Sequence, residues 1–404
     1  MAENPIKTEL AKGGAISIIK LVHSIIDEAQ LKRASDIHID PQSGHLRVRY
    51  RVDGVLIDEY LISKNIHSEI ISRIKILSGL RTDEHKSAQD GRFRVSLEND
   101  RPLDVRVSIA PTYHGENAVL RLLSDKAEEF SLETLGFSAQ NQAKIQTAIK
   151  KPYGMILATG PTGSGKTTTL YTLLKILNTS EVSIVTVEEP IEYAIGGINQ
   201  IQVNPRTNLT FAHGLRSILR QDPNIIMVGE IRDAETAGIA VNTALTGHLL
   251  LSSLHTNDAA TTLPRLLDLK IESYLIASTV NAAIGQRLVR KICPDCKISK
   301  KITEAEITSL KNVIPSQALS ETRDFYYGKG CVFCSQSGYL GRVGVQEVLV
   351  PDNDIRQAVL NKESAGRIRQ IAVERGMVTM IEDGFAKAQL GITTIEEILR
   401  TLYE

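Results

Sequence analysis

The sequence predicts an α/β protein built on a sheet of parallel strands and preceded by a separate α+β domain. Three observations carry that prediction. Four short apolar runs, at 155–159, 183–187, 225–228 and 249–253, show little alternation and are separated by helical segments. Parallel strands read this way when helices cover both faces of their sheet. A glycine-rich octapeptide follows the first run and opens a helix. Before residue 124 the pattern is instead apolar/polar alternation, the mark of half-buried strands. At 404 residues the chain is too long for one core and fits two or three domains.

In chain order, residues 15–30 predict an amphipathic helix, with Ile18, Ile19, Val22, Ile25, Ile26 and Ala29 at helical spacing. Ala34-Ser35-Asp36-Ile37-His38-Ile39 enters a strand. Leu46, Val48, Tyr50 and Val52 then alternate with Arg47, Arg49 and Arg51, and Asp53-Gly54 turns that strand into Val55-Leu56-Ile57. A second helix is expected from about 65 to 80, with Ile66, Ile70, Ile74 and Leu77 on one face. Strands at 93–97, 103–109 and 118–122 complete an N-terminal domain of residues 1–123. A polar linker, 124–133, opens with Ser124-Asp125-Lys126-Ala127-Glu128-Glu129. Residues 134–404 form the second domain, helical again from about 362.

Gly160-Pro161-Thr162-Gly163-Ser164-Gly165-Lys166-Thr167 fits GxxxxGK[ST], and its context, strand before and helix from Thr168 after, is the one that motif requires. Its glycines let backbone N–H groups close around phosphate oxygens at a helix N-terminus. Lys166 reaches the β- and γ-phosphates in such a loop, and Thr167 binds Mg²⁺. These eight residues with Thr168 are the predicted nucleotide site.

Ligands of open α/β sheets bind beyond the carboxyl ends of the strands. Two other predicted strands end there in acid: one in Glu188-Glu189-Pro190, with Glu192 just after, the other in Gly229-Glu230. One such acid can hold the magnesium shell and another can orient or deprotonate the attacking water. The residues leave the division of labour between Glu188 and Glu189 open. The strand Leu249–Leu254 is bracketed by His248 and His255, and a histidine at a strand end beside phosphates can sense the γ-phosphate.

All four cysteines fall in two CxxC pairs, Cys293/Cys296 and Cys331/Cys334, separated by 34 residues. Together they can supply four thiolates to a closed, structural zinc site within a subdomain at 290–340. Lys plus Arg and Asp plus Glu both number 47, so net charge gives no reason to expect nucleic acid as a direct partner. No apolar run approaches the ~20 residues that span a bilayer, and the first residues lack the pattern of a secretory signal.

In combination these motifs resemble the ATPases of type II secretion and type IV pilus assembly. The carriers are Ala34-Ser35-Asp36-Ile37-His38-Ile39 with Arg49-Tyr50-Arg51-Val52-Asp53-Gly54, Gln89-Asp90-Gly91-Arg92, and Asp104-Val105-Arg106-Val107-Ser108. In the second domain they are Val187-Glu188-Glu189-Pro190-Ile191-Glu192, Val228-Gly229-Glu230-Ile231-Arg232-Asp233, Thr246-Gly247-His248 and Leu254-His255-Thr256-Asn257-Asp258. The resemblance implies a PAS-like N-terminal domain, a RecA-like ATPase domain, ATP with Mg²⁺, and a homohexameric ring. It implies a cytoplasmic location, peripheral at the inner membrane, where turnover drives a platform protein that assembles pilin-like subunits. The chain departs from the family in having Glu189 where an Asp is usual, and it lacks the further N-terminal domain of longer members. Retraction motors of the same ring type generally lack the paired CxxC element, so the cysteines favour assembly. A retraction motor, a nucleic-acid-translocating NTPase and a non-hydrolysing platform subunit are the competing readings; with aromatics at only 4%, the translocase reading is the weaker.

On the strand 46–52, Arg47, Arg49 and Arg51 share one face, and Arg92, Arg94 and Arg106 add charge on neighbouring strands. The expectation is that some of these guanidiniums, Arg49 and Arg106 first, act as arginine fingers on the γ-phosphate.

Overall fold

The computed structural model describes residues 4–97, 102–123, 130–301 and 324–403. The chain divides into two compact units, Met1–Glu128 and Glu129–Glu404. The expected linker stretch Ser124–Glu129 lies outside the described residues.

The first unit contains α1 (Pro5–Leu10), α2 (Ile18–Leu31), β1 (Ala34–Pro41), β2 (His45–Val52), β3 (Val55–Ser63), α3 (His67–Leu77), β4 (Gln89–Ser96), β5 (Pro102–Thr112) and β6 (Gly115–Leu123). The strands form one antiparallel sheet in the order β3-β2-β1-β6-β5-β4. Alternation decides its faces. Ile37, Ile39, Leu46, Val48, Tyr50, Val105 and Leu120 are buried with α2 and α3 in one core. Each such side chain contributes roughly 1.5–3 kcal/mol on leaving water. Helix α2 starts at Ser17, whose hydroxyl accepts from the Lys20 N–H. Its buried stripe is Leu21, Val22, Ile25, Ile26 and Ala29, whereas Ile19, expected in the stripe, faces outward at 59% exposure.

The second unit is a seven-stranded sheet in the order β15-β12-β7-β11-β10-β8-β9. Its strands are β7 (Gly154–Thr159), β8 (Ile184–Glu188), β9 (Asn199–Gln202), β10 (Ile225–Val228), β11 (Leu249–Leu254), β12 (Val280–Ile292) and β15 (Tyr339–Leu349). Six of them run parallel. β15 pairs antiparallel with β12, so the sheet is mixed rather than wholly parallel. Helices α4 (Ala139–Ile149) and α5 (Lys166–Leu177) bury Ile156, Ala158, Met227 and Leu251 on one face. The other face, with Leu157, Val187, Val228 and Leu250, lies under α6 (Phe211–Ile218), α7 (Ala234–Leu245), α8 (Thr262–Asp268), α9 (Ser273–Thr279), α10 (Asn353–Leu360) and α11 (Ala365–Glu374). Both faces are apolar, which is why the central strands do not alternate.

Between β12 and β15 the chain makes a two-stranded excursion, β13 (Lys297–Lys301) with β14 (Asp324–Gly328). Phe325 of β14 packs with Phe385, Ala388 and Ile398 of the last helices, α12 (Met380–Gln389) and α13 (Ile395–Tyr403). Among the described residues no helix is long and apolar enough to cross a membrane.

Candidate functional site

The parallel register aligns the carboxyl ends of β7, β11, β10 and β8 along one sheet edge: Thr159 lies beside Leu254, and Val228 beside both Ser252 and Val187. The phosphate-loop motif leaves β7 at this edge and enters α5 at Lys166. Gly165, the residue before the helix, has φ 89°, in the left-handed region that glycine tolerates. It offers no side chain to cap the helix, so the first N–H groups of α5 face outward, as an anion site requires. Gly160 admits no side chain either, since a Cβ there would come within 2.5 Å of the Gln286 carbonyl oxygen. The Lys166 ammonium donates to the carbonyls of Gly160 and Pro161, at 2.8 and 3.0 Å. Burial lowers its pKa, and the Glu230 carboxylate opposes that shift. Thr167 is exposed.

Beyond β8 and β10, two carboxylates, a guanidinium and an imidazole form a chain. Arg232 bonds Glu230 at 2.6 Å and approaches Glu189 at 3.6 Å, and the other Glu230 oxygen meets His255 Nε2 at 3.1 Å. Neighbouring Glu188 is placed differently. It is 2% exposed, accepts from the hydroxyls of Tyr171 and Thr186, and takes the Gln200 amide at 3.1 Å. Burial raises its pKa against the pull of those donors. The Tyr171 hydroxyl in turn accepts from the Glu192 N–H at 3.3 Å.

The two histidines bracketing β11 separate. His255 is at the carboxyl edge, whereas His248 precedes the strand at the opposite edge, its Nδ1 3.2 Å from the Thr243 carbonyl. A strand of six residues is about 20 Å long, so only one end can be near phosphates.

Three side chains that sequence reasoning passed over complete the site. Gln286 donates to the Ser164 carbonyl at 2.7 Å and accepts from the Thr169 hydroxyl at 2.8 Å, bracing the phosphate loop. The mixed polar and apolar sequence of β12 gave no signal for it. Arg232 and Tyr171 are the others, and each gained meaning only through its contacts with acids distant in sequence.

Arg49 and Arg106 lie in the first unit. Both nitrogens of Arg49 that face β1 bond Asp40, at 2.7 and 3.0 Å. Arg106 belongs to a row running across five strands in register: Arg51, Asp36, Arg121, Arg106 and Arg92. Asp36 accepts from Arg121 at 3.1 Å and lies 3.6 Å from Arg51. Like charges directly opposite cost stability; of these four arginines, Arg51 and Arg121 have Asp36 beside them.

The cysteine sulfurs, from positions 38 apart in both long-range pairs, all lie within 4.8 Å of one another. Cys293–Cys331, Cys296–Cys334 and Cys331–Cys334 are 3.8, 3.9 and 3.6 Å apart. Four thiolates at about 2.3 Å from a tetrahedral zinc are about 3.8 Å from each other, so the cluster fits that ion. Backbone N–H groups of Gly330, Cys331 and Gly338 point at Cys296 and Cys334 sulfurs, at 3.2–3.3 Å, favouring thiolates.

The model of the type II/IV secretion system protein family matches residues 11–400. A type II secretion system protein E of Xanthomonas campestris is 47% identical over 387 residues, covering 95% of this chain and 67% of that protein. The type IV pilus assembly ATPase PilB of Thermus thermophilus is 45% identical over 385 residues, 95% of this chain and 43% of its own length. Among solved structures, the pilus retraction motor PilT with bound ADP is 25% identical with a TM-score of 0.62, over 93% of this chain and 95% of PilT.

Proposed function

The chain belongs to the type II/IV secretion system protein family and is an ATPase, and from that premise we propose that it is a motor for assembly of a type IV pilus or secretion pseudopilus. The observation that carries the site assignment is the convergence of Lys166, Glu189, Glu230, Arg232 and His255 on one sheet edge. Residues 160–168 hold the phosphates, with Lys166 on the β- and γ-oxygens. Thr167 would help hold Mg²⁺, which neutralises charge on the phosphates when bound. Glu230 and Glu189 are the acids that position and deprotonate the attacking water. Glu188, whose oxygens are engaged by three protein donors, orients the strand end instead. His255, paired with Glu230, responds to the γ-phosphate.

Residues 134–404 form a RecA-like ATPase domain, and residues 1–123 a PAS-like domain joined to it through 124–133. Arg49 and Arg106 supply positive charge to the γ-phosphate when the domains close in a homohexameric ring. The ring works at the cytoplasmic face of the inner membrane, on a platform protein. Cys293, Cys296, Cys331 and Cys334 hold a structural zinc within 290–340. Retraction is the second reading, favoured by the likeness to PilT; the cysteine cluster and the higher identity to an assembly ATPase weigh for assembly. ATP turnover by purified protein tests the reading: Lys166→Ala should abolish nucleotide binding or turnover, and a fully active Lys166→Ala variant would end it.

A further inference from the structure

Glu347 is 1% exposed, near the end of β15, and no step of the proposed reaction uses it. Buried carboxylates are costly unless fully bonded, and both oxygens of this one have backbone donors. One oxygen accepts the Ala259 N–H at 2.8 Å; the other accepts the Met380 N–H, the first of helix α12, at 3.1 Å. Ala259 belongs to the loop that leaves β11 through His255. Two strands, β12 and β7, separate β15 from β11 in the sheet, so this carboxylate reaches across its neighbour to meet that loop. Gly285 permits the crossing. It lies directly opposite Glu347, and a Cβ there would meet the Ala259 nitrogen at 2.9 Å and the Glu347 Cγ at 3.0 Å.

The loop itself is tied to the phosphate-loop strand. The Thr256 N–H donates to the Thr159 hydroxyl at 3.0 Å, and Asp258 caps Thr261 at 2.7 Å. Arg287, two residues beyond Gly285, lines a cleft of about 330 Å³ with Asn257, Asp258, Glu347 and Arg369; burial lowers its pKa, and Asp258 and Glu347 oppose that shift. The loop carrying His255 is therefore fixed at two points, Thr159 on one side and Glu347 on the other.

We propose that Glu347 is a positioning residue for ATP hydrolysis, holding the loop 255–259 so that His255 meets Glu230. It acts through the two N–H groups it accepts, while the phosphate loop binds nucleotide without it. The proposal rests on the assignment of His255 and Glu230 to the reaction.

The test is a double-mutant cycle on the full chain. In Glu347→Gln one of the two N–H acceptors becomes an NH₂ donor at unchanged size. Turnover should fall roughly ten- to a hundredfold, the scale of a displaced reacting group, while affinity for a fluorescent ATP analogue stays within about twofold. In a His255→Ala background the same substitution should cause no further loss, because its route is already cut. Losses that multiply would overturn the proposal and leave the site assignment standing. Wild-type turnover in His255→Ala alone would overturn the site assignment and this proposal with it. If Glu347→Gln does not fold, Gly285→Ala displaces the same carboxylate and is read the same way.

Discussion

Glu188 and Glu189 are adjacent, yet their carboxylates belong to different environments. Glu188 is buried among Tyr171, Thr186 and Gln200, whereas the Glu189 side chain is 39% exposed and lies 3.6 Å from Arg232. Opposite directions follow from strand alternation at the end of β8. Arg232 then joins Glu189 to Glu230, which itself meets His255.

The two glutamates should therefore respond differently to amide substitution. Glu189→Gln is expected to cut turnover about a hundredfold with nucleotide affinity retained, as for a lost positioned group. Glu188→Gln is expected to lower the melting temperature more than it lowers turnover. Steady-state phosphate release and thermal melts on both variants check this; the reverse pattern would exchange their roles.

Purified protein should carry about one zinc per chain by elemental analysis, since four thiolates fill a tetrahedral site. Replacing Cys293 and Cys296 with Ser should release it and loosen α12 and α13, because Phe325 packs on Phe385 and Ile398 beside that cluster. Nucleotide binding should persist. Metal-free protein that was never exposed to chelator would remove the site and weaken the choice of assembly over retraction.

Strong acid should draw stability from one buried ion pair. Glu397 is 2% exposed; burial alone would raise its pKa, but bonds from Arg290 and Arg400 hold it down at about 2. A carboxylate whose folded pKa is depressed stabilises the fold above its unfolded pKa, and loses that contribution as pH falls through the folded one. Between about pH 4.5 and 2 the chain should lose roughly 2–3 kcal/mol from this group. Glu397→Gln should flatten that part of a denaturant-monitored pH profile, and an unchanged profile would refute the assignment.

Arg106→Ala should keep nucleotide affinity within about tenfold yet strongly lower turnover, because arginine fingers act on the transition state. Arg49→Ala should do the same, with an added loss of stability from leaving Asp40 without its partner. Mixing Arg106→Ala chains with Lys166→Ala chains should partly restore activity if the contact is made between subunits. Full activity of both arginine variants would refute the clamp.

Much of this architecture was legible because local pattern and burial agree. The four central strands are apolar on both faces and so read as buried runs. The phosphate loop needs only eight consecutive residues, and the alternation around Arg47, Arg49 and Arg51 gave the outward face of β2. What was hidden depends on contacts across the fold. The 13 residues of β12 mix apolar positions with Gln286, Arg287 and Arg290, so neither they nor the antiparallel β15 read as sheet strands. His248 and His255 look equivalent in sequence until the strand between them sends them to opposite edges. Nor does the sequence show that Tyr171, seventeen residues before Glu188, bonds that carboxylate while Glu189 lies beside Arg232.

The most direct test of the account is turnover by Glu230→Gln, with binding of a fluorescent ATP analogue measured on the same protein. Glu230 touches both Arg232 and His255 and is the acid whose charge reaches Lys166. The account predicts a loss of roughly a hundredfold or more in turnover with nucleotide affinity preserved. Wild-type turnover in that variant would contradict it.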